Sequence, residues 1–432
     1  MNFSLIDAVK TALPAALSYW WVYLPVILAL ILWEEWKDYR QDTYISSMEW
    51  VLLEITPPPE VQRSPKIAEN MFAGFHGIYS KSLIWKKQFF GGKVPDWFSF
   101  EIVSNAGEIK FYVRSTKENR NLVESIIFAQ YPDAEIKEAE DYVNQMPESL
   151  TGSDYDIFGT ELIFTKEDAY PIKTYQFFEE DSGKDEFVRS DPLAPLAEVM
   201  SALGPGEHLW LQLVARPTGA DWTKDAQKIV DKIIGKEAKK QPSSGQKIVG
   251  GIDEALSGLG LLPNAGEAKE EKKDKAEFNV QKLTPVQKSV LEQIETKMAK
   301  LAFKAGHRFM YVARKDAFNK SRVPTVIGMF KQLYFNNMNS FKPNGDITTK
   351  DDGALKWLFP SDTGFFSEER TMRKKRKIWK EYKKRKFVKK VNILNIEEMA
   401  TLWHLPGLAI RAPLFPRVEA SKGQPPSGLP TR

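Results

Sequence analysis

An uncharged apolar run near the N-terminus is the feature that most constrains this chain. No charged residue occurs between Thr11 and Trp33. At 1.5 Å per residue, a helix of this length reaches roughly 34 Å, enough to cross a hydrocarbon core of about 30 Å. Trp33 and Trp36 stand at its far edge, where interfacial aromatic residues are favoured. The run therefore predicts a transmembrane helix at about residues 11–33, within an N-terminal membrane anchor of residues 1–44.

The residues that flank this run bear on its other interpretations. A cleaved signal peptide fits poorly, because Glu34 and Glu35 follow the run and no small-residue cleavage site does. A buried core helix and an interfacial helix stay open. Lys37 and Arg40 on the C-terminal side, against Lys10 on the other, favour a cytoplasmic body under the positive-inside rule. The flanks thus predict a single-pass protein of the inner membrane.

Residues 45–150 have the pattern of a ferredoxin-like domain. A β-type run at 50–55 precedes a segment with apolar residues at helical spacing. Two strand-like runs, 97–103 and 109–114, flank a short turn, and a second helical stripe and a final exposed strand follow. The resulting order β-α-β-β-α-β is that of the split βαβ arrangement, a fold that specifies no function.

The rest of the chain predicts a second α+β domain at residues 151–412. Residues 236–282, rich in Lys, Glu, Gly and Ser, interrupt it and are typical of a disordered insertion. Residues 413–432 have the composition of a Pro/Gly-rich linker. The expected fold class is therefore α+β: a transmembrane helix followed by two ferredoxin-like α/β sandwich units.

No catalytic or cofactor motif is found in the sequence. None of the three Gly-Lys pairs is followed by Ser or Thr, as a phosphate-binding loop of an NTPase requires. Neither Gly-x-Ser-x-Gly nor His-Glu-x-x-His occurs, and the chain has no cysteine. The four histidines lack ligand-like spacing: His76, His208, His307 and His404. The sequence therefore predicts no enzyme, no cofactor and no metal site.

A basic segment at residues 370–390 is the strongest local signal. It holds thirteen Lys or Arg and one Glu, a net charge of +12 against +4 for the whole chain, which leaves −8 for the remainder. In a helix, Ile378, Trp379 and Tyr382 share one face and the cations cover the rest. The predicted nucleic-acid-binding residues are Arg373, Lys374, Lys375, Arg376, Lys377, Trp379, Lys380, Tyr382, Lys383, Lys384, Arg385 and Lys386.

Three interpretations of this segment remain open. Its cations would neutralise DNA phosphates with salt-sensitive, sequence-independent affinity, and its aromatic rings would stack on unpaired bases. The same composition suits an anionic lipid surface, at about 1 kcal/mol per basic residue. A solvated segment that balances the acidic remainder is the third interpretation.

Several stretches resemble the N-terminal accessory region of conjugative, type IV secretion-like DNA-transfer ATPases. Residues 392–407 (NILNIEEMATLWHLPG) and 425–431 (PPSGLPT) resemble the segment that precedes the motor in that family. Residues 97–103, 119–125, 129–132 and 168–175 resemble parts of its accessory domain. Family members continue into a nucleotide-binding motor, whereas this chain stops where the motor would start.

The resemblance implies a membrane-anchored, non-catalytic component of a DNA-translocation apparatus. It would act with a hexameric motor ATPase supplied in trans, unless the motor was lost by truncation. DNA would be contacted through residues 370–390, and homo-oligomerisation stays open. The alternative function is a membrane-surface scaffold that binds anionic lipid.

Overall fold

A computed structural model describes most of the chain. The described residues are 20–57, 64–79, 91–150, 152–181, 191–235, 283–335, 337–349 and 367–406. The predicted insertion 236–282 and the predicted linker 413–432 lie outside them. The chain forms two compact units, one comprising residues 1–50 and 80–96 and the other comprising 51–79 and 97–432.

The first unit contains one long helix, α1 (Trp20–Ser47). Its apolar side chains are widely exposed as far as Trp36, whereas charged residues are frequent from Glu34 onward. The uncharged part from Trp20 to Trp33 rises only about 20 Å, short of the roughly 30 Å of a bilayer core. Within the described residues, no helix combines the length and the apolar character that a membrane crossing needs.

The predicted transmembrane helix at residues 11–33 is therefore wrong as judged from the described part of the chain, and so is the predicted inner-membrane localisation. Residues 11–19 of that prediction lie outside the described residues. The physical reason is the mixed composition of α1, whose C-terminal half carries charges at helical spacing.

The first part of the second unit has the element order β-α-β-β-α-β. Its elements are β1 (Trp50–Thr56), α2 (Lys66–Phe75), β2 (Phe98–Asn105), β3 (Glu108–Thr116), α3 (Arg120–Gln130) and β4 (Glu135–Glu138). Asn105 pairs with Glu108, so the β2–β3 hairpin has a two-residue loop. Ala106 and Gly107 have φ values of 51° and 94°, as the favoured I′ type of hairpin turn requires.

The described residues of this unit form further strands and helices. They are β5 (Tyr155–Phe164), α4 (Tyr175–Asp181), α5 (Ala194–Ser201), β6 (Glu207–Thr218), α6 (Thr223–Ile234), α7 (Pro285–Ala299), β7 (Ala302–Arg314), α8 (Arg322–Lys331), β8 (Phe341–Pro343), α9 (Ser367–Lys383), β9 (Asn392–Asn395) and α10 (Ile396–Leu402). Helix α10 begins with a reciprocal capping box between Asn395 and Glu398.

The nine strands of the described residues belong to one sheet, with the order β4-β1-β3-β2-β6-β7-β5-β8. Strand β9 pairs with β7 beyond the end of β5. The centre of the sheet is the antiparallel pairing of β2 with β6, from Phe98↔Ala215 to Asn105↔His208. The class is α+β, and each half has the strand order of the split βαβ arrangement, β4-β1-β3-β2 in the first half and β8-β5-β7-β6 in the second. Backbone hydrogen bonds between β2 and β6 join the two halves into one sheet.

The two faces of the sheet are covered differently. Alternate strand residues point to opposite faces, and one face packs against α2, α3, α5, α8 and α10. Trp210, Met310 and Val312 point to the other face. There they pack against α9 and the segment 142–150. This second face therefore carries the basic segment that the sequence singles out.

Candidate nucleic-acid interface

The basic segment forms helix α9 and the turn that follows it. Its residues divide by exposure into three groups. Arg373, Arg376, Lys377, Lys380 and Lys384 are exposed; Lys374, Lys375, Lys383 and Lys386 are partly buried; Trp379, Tyr382 and Arg385 are buried. Arg373, Arg376, Lys377 and Lys380 follow i, i+3, i+4 and i+7 spacing, so they lie along one side of α9, and Lys384 follows the helix.

The apolar side of α9 packs on the sheet. Trp379 and Tyr382 stack on Trp210, with ring centroids 6.1 and 5.7 Å apart. The indole N–H of Trp379 donates to the carbonyl of Glu148 at 3.0 Å. Trp379 is 4% exposed and Tyr382 is fully buried. Their rings are occupied by the core, so the predicted stacking of these two residues on bases has no accessible surface in this structure.

Two glycines allow the basic segment to approach the sheet closely. A Cβ on Gly159 of β5 would lie 2.9 Å from Ile378, and one on Gly306 of β7 would lie 2.2 Å from Val388. Such distances are too short for real Cβ contacts, and the Gly306 neighbour is a stiff β-branched side chain. The close approach of the turn after α9 therefore depends on glycine at position 306, whereas the far end of the Ile378 side chain can shift away from position 159.

Arg385 fixes the turn after α9. Its backbone has a φ of 47°, a left-handed conformation that is uncommon for residues other than glycine. The fully buried guanidinium donates to Glu101 at 2.9 and 3.1 Å and to Asp141 at 2.9 Å. Burial alone would lower the pKa of Arg385, but the neighbouring Glu101 raises it well above its usual value. The cation is thus permanently charged and neutralised inside the protein.

Two tyrosines extend this buried cluster. The hydroxyl of Tyr142 donates to Glu101 at 2.8 Å and lies 2.7 Å from the hydroxyl of Tyr382. Burial and the charge of Glu101 raise the pKa of both phenols well above 10, so both remain neutral. Ser99 also donates to Glu101, at 2.6 Å. Glu101 therefore accepts hydrogen bonds from several donors besides Arg385, which offsets its loss of hydration.

A second buried arginine holds the end of the turn. Arg308 of β7 donates to Glu161 at 3.0 Å and to the carbonyl of Lys386 at 2.5 Å. It also lies 3.7 Å from Glu381 of α9, whose pKa is raised because burial outweighs the attraction of Arg308. Buried ionic contacts of Arg308 and Arg385 therefore hold the basic segment from the side that faces the sheet.

Some outer cations have acidic neighbours. Arg373 pairs with Glu369 at 2.6 Å, and both side chains are more than half exposed. Lys375 pairs with Asp156. An exposed ion pair such as Arg373–Glu369 contributes little stability and is screened by salt, so a polyanion can compete for its cation.

A comparison with protein-family models matched residues 37–413 to a domain of unknown function, DUF8128. The chain belongs to this family. The match includes every strand of the sheet and the whole basic segment of this DUF8128 protein. A search of the curated proteins found no match. The family description does not refer to conjugative ATPases, so that resemblance stays a prediction.

Sequence reasoning missed the acidic partners of the basic segment in the DUF8128 chain. Glu101 lies between Phe100 and Ile102 in a strand that is otherwise almost wholly buried. A carboxylate in the middle of such a strand needs a buried cation or hydrogen-bond donors. The position of Glu101 in an apolar run could therefore have indicated a buried ionic contact. The identity of the cation, 284 residues away, was not readable from local sequence.

The described part of the chain contains no cluster of three or more His, Asp or Glu residues suited to a metal ion. His307 is buried beside Phe330, and burial lowers its pKa to about 3. His404 is buried and bonded to Asp191 at 3.1 Å and to the carbonyl of Ala400 at 2.7 Å. Both histidines are buried in the core.

Proposed function

We propose that this chain is a non-catalytic, DNA-contacting component of a translocation apparatus of the conjugation or type IV secretion kind. In this proposal a motor ATPase is supplied in trans. The observation that supports DNA contact is the exposed cationic side of α9, whose opposite side is fixed on the sheet. The motor partner rests on the sequence resemblance alone.

The docking of α9 favours phosphate contact. Trp379 and Tyr382 pack against Trp210, so α9 cannot rotate without opening the core. Arg376, Lys377 and Lys380 are consequently presented on a preorganised helix, which lowers the entropic cost of binding. Lysine and arginine on such a surface neutralise phosphates and release counterions, whatever the base sequence.

The same burial favours binding without base readout. Single-strand binders gain about 1–3 kcal/mol per base from stacking on accessible aromatic rings. The aromatic residues of α9 are not accessible for this contact. We therefore expect duplex and single-stranded DNA of different sequences to bind through the same phosphate contacts, with a steep dependence on salt.

A charge-removal experiment tests this proposal. The triple variant R376Q/K377Q/K380Q removes three exposed charges from α9, and K288Q/K320Q/K331Q removes three exposed lysines from helices α7 and α8 and the loop before α8. Binding of a labelled DNA duplex is measured by fluorescence anisotropy over a range of salt concentrations. Each phosphate contact contributes roughly 0.9 to the magnitude of the slope of log K against log salt. Removing three charges from α9 should therefore reduce the magnitude of that slope by up to about 2.7. The matched control should keep the wild-type slope.

Two results would count against the proposal. Equal salt slopes for wild type and the α9 variant would show that the three cations of α9 do not contact DNA. Flotation of the wild-type protein with vesicles of anionic lipid, together with no binding of DNA, would favour the scaffold alternative. For the motor, the test is whether the protein co-purifies with a candidate ATPase and changes its DNA-stimulated turnover.

A further inference from the structure

A second pair of cations lies on the same face of the sheet, outside the basic segment. Arg216 of β6 and Lys304 of β7 are direct partners in the antiparallel register. Lys304 is two residues from Gly306, which contacts Val388 on the second face, so Lys304 points to that face too. The guanidinium of Arg216 lies 4.4 Å from the ring centroid of Phe387. Both cations therefore border the turn after α9.

This pairing places like charges directly opposite each other. Cross-strand partners have Cβ atoms about 4.5–5.5 Å apart, and like charges at this position are destabilising. In the part of the chain that the structure describes, neither Arg216 nor Lys304 has an acidic partner. Burial alone lowers the pKa of Arg216, with no contribution from a nearby carboxylate. No carboxylate therefore neutralises either cation within the described residues.

Arg216 is held by stacking instead of by an ion pair. Its guanidinium lies over Phe387, which in turn meets Trp97 edge to face at 6.4 Å. Trp97 is anchored by its indole N–H, which donates to the carbonyl of Arg385 at 3.2 Å. A stacked guanidinium keeps its N–H donors in the plane of the group, where they match two oxygens of a phosphate.

We propose that Arg216 and Lys304 form a phosphate-binding subsite at the edge of the basic segment. An anion between them would accept hydrogen bonds from both. This inference extends the proposed function, since the ligand there would be a backbone phosphate of DNA. The exposed residues Lys384 and Lys389 lie on the adjoining turn. The cationic surface then runs from α9 to the neighbouring ends of β6 and β7.

The first experiment uses inorganic phosphate as the probe and needs no DNA. The thermal midpoint of the full chain is compared in sodium phosphate and in sodium chloride of equal ionic strength. Phosphate should raise the midpoint of the wild type and have a much smaller effect on K304Q and R216Q/K304Q. Because Arg216 also packs on Phe387, K304Q separates the loss of charge from the loss of packing. Equal phosphate shifts in wild type and K304Q would overturn the subsite.

The second experiment distinguishes this inference from the proposed function. K304Q should lower the salt slope of duplex binding by about 0.9, and R216Q/K304Q should lower it by about 1.8. If the wild type binds DNA and both variants keep its slope, the subsite is refuted and the role of α9 stands. If the wild type binds no DNA but phosphate still stabilises it through Lys304, the DNA function fails and the phosphate subsite stands.

Discussion

Replacing Arg385 by methionine removes the cation that neutralises two carboxylates while keeping a side chain of similar length. Glu101 is fully buried and would lose the guanidinium that it is bonded to, whereas Asp141 is 30% exposed and can regain water. Removing one partner of a buried ion pair costs about 3–5 kcal/mol. Tyr142 and Ser99 still donate hydrogen bonds to Glu101. We therefore expect R385M to lower the free energy of unfolding by about 3 kcal/mol, the lower end of that range.

A second substitution separates the charge effect from packing. In R385M/E101Q the buried charge is gone and the amide can still accept the hydrogen bond from Tyr142. We expect this double variant to recover about 1–2 kcal/mol of the loss. The free energy of unfolding is measured by urea denaturation, followed by tryptophan fluorescence and far-ultraviolet circular dichroism. A cost below about 1 kcal/mol for R385M, or a double variant less stable than R385M, would contradict the assignment of Arg385 as the buried counterion.

Two further predictions concern the glycines and one histidine. Gly306→Ala should destabilise the protein by about 1–3 kcal/mol, because its Cβ would clash with Val388. Gly328→Ala should stabilise the protein by up to about 1 kcal/mol in the same urea assay, because its Cβ would enter open space on a helix. Burial lowers the pKa of His404, but the Asp191 carboxylate raises it by more, to above its usual value. The stability that the His404–Asp191 pair contributes is fully present below the pKa of His404 in the unfolded chain, about 6.5. It is lost as the pH rises through the pKa of His404 in the folded protein. Asp191→Asn should therefore cost more stability near pH 6 than near pH 9, and an equal cost at both would refute the ion pair.

The local order of elements was readable from the sequence, whereas the joining of the two halves was not. Periodicity at 50–55 and 97–114 gives strands, and Asn105 with Gly107 gives a tight turn. The pairing of β2 with β6 involves strands buried on both faces, from Phe98 to Val103. Such strands are continuous apolar runs, and because strands pair through backbone groups at their edges, the side-chain pattern does not show which strands are neighbours.

The apolar side of the basic segment was also visible in the sequence, but its direction was not. Helical spacing placed Ile378, Trp379 and Tyr382 on one face. Whether that face meets bases or a protein core depends on a partner surface more than 150 residues away, here formed by Trp210. Local sequence gives no information on that choice, because an amphipathic helix satisfies its apolar face equally well in either setting.

The net charge of the basic segment overstates what an external ligand meets. Arg385 is neutralised by Glu101 and Asp141, and Lys375 is paired with Asp156, so part of the +12 is compensated within the protein. Arg216 and Lys304 add charge that the local count leaves out. It follows that the slope of log K for DNA binding against log salt should scale with the number of exposed and unpaired cations. It should not scale with the number of basic residues in 370–390. A series of single charge removals ordered by exposure would show this, because removing Lys375 should change the slope less than removing Lys380.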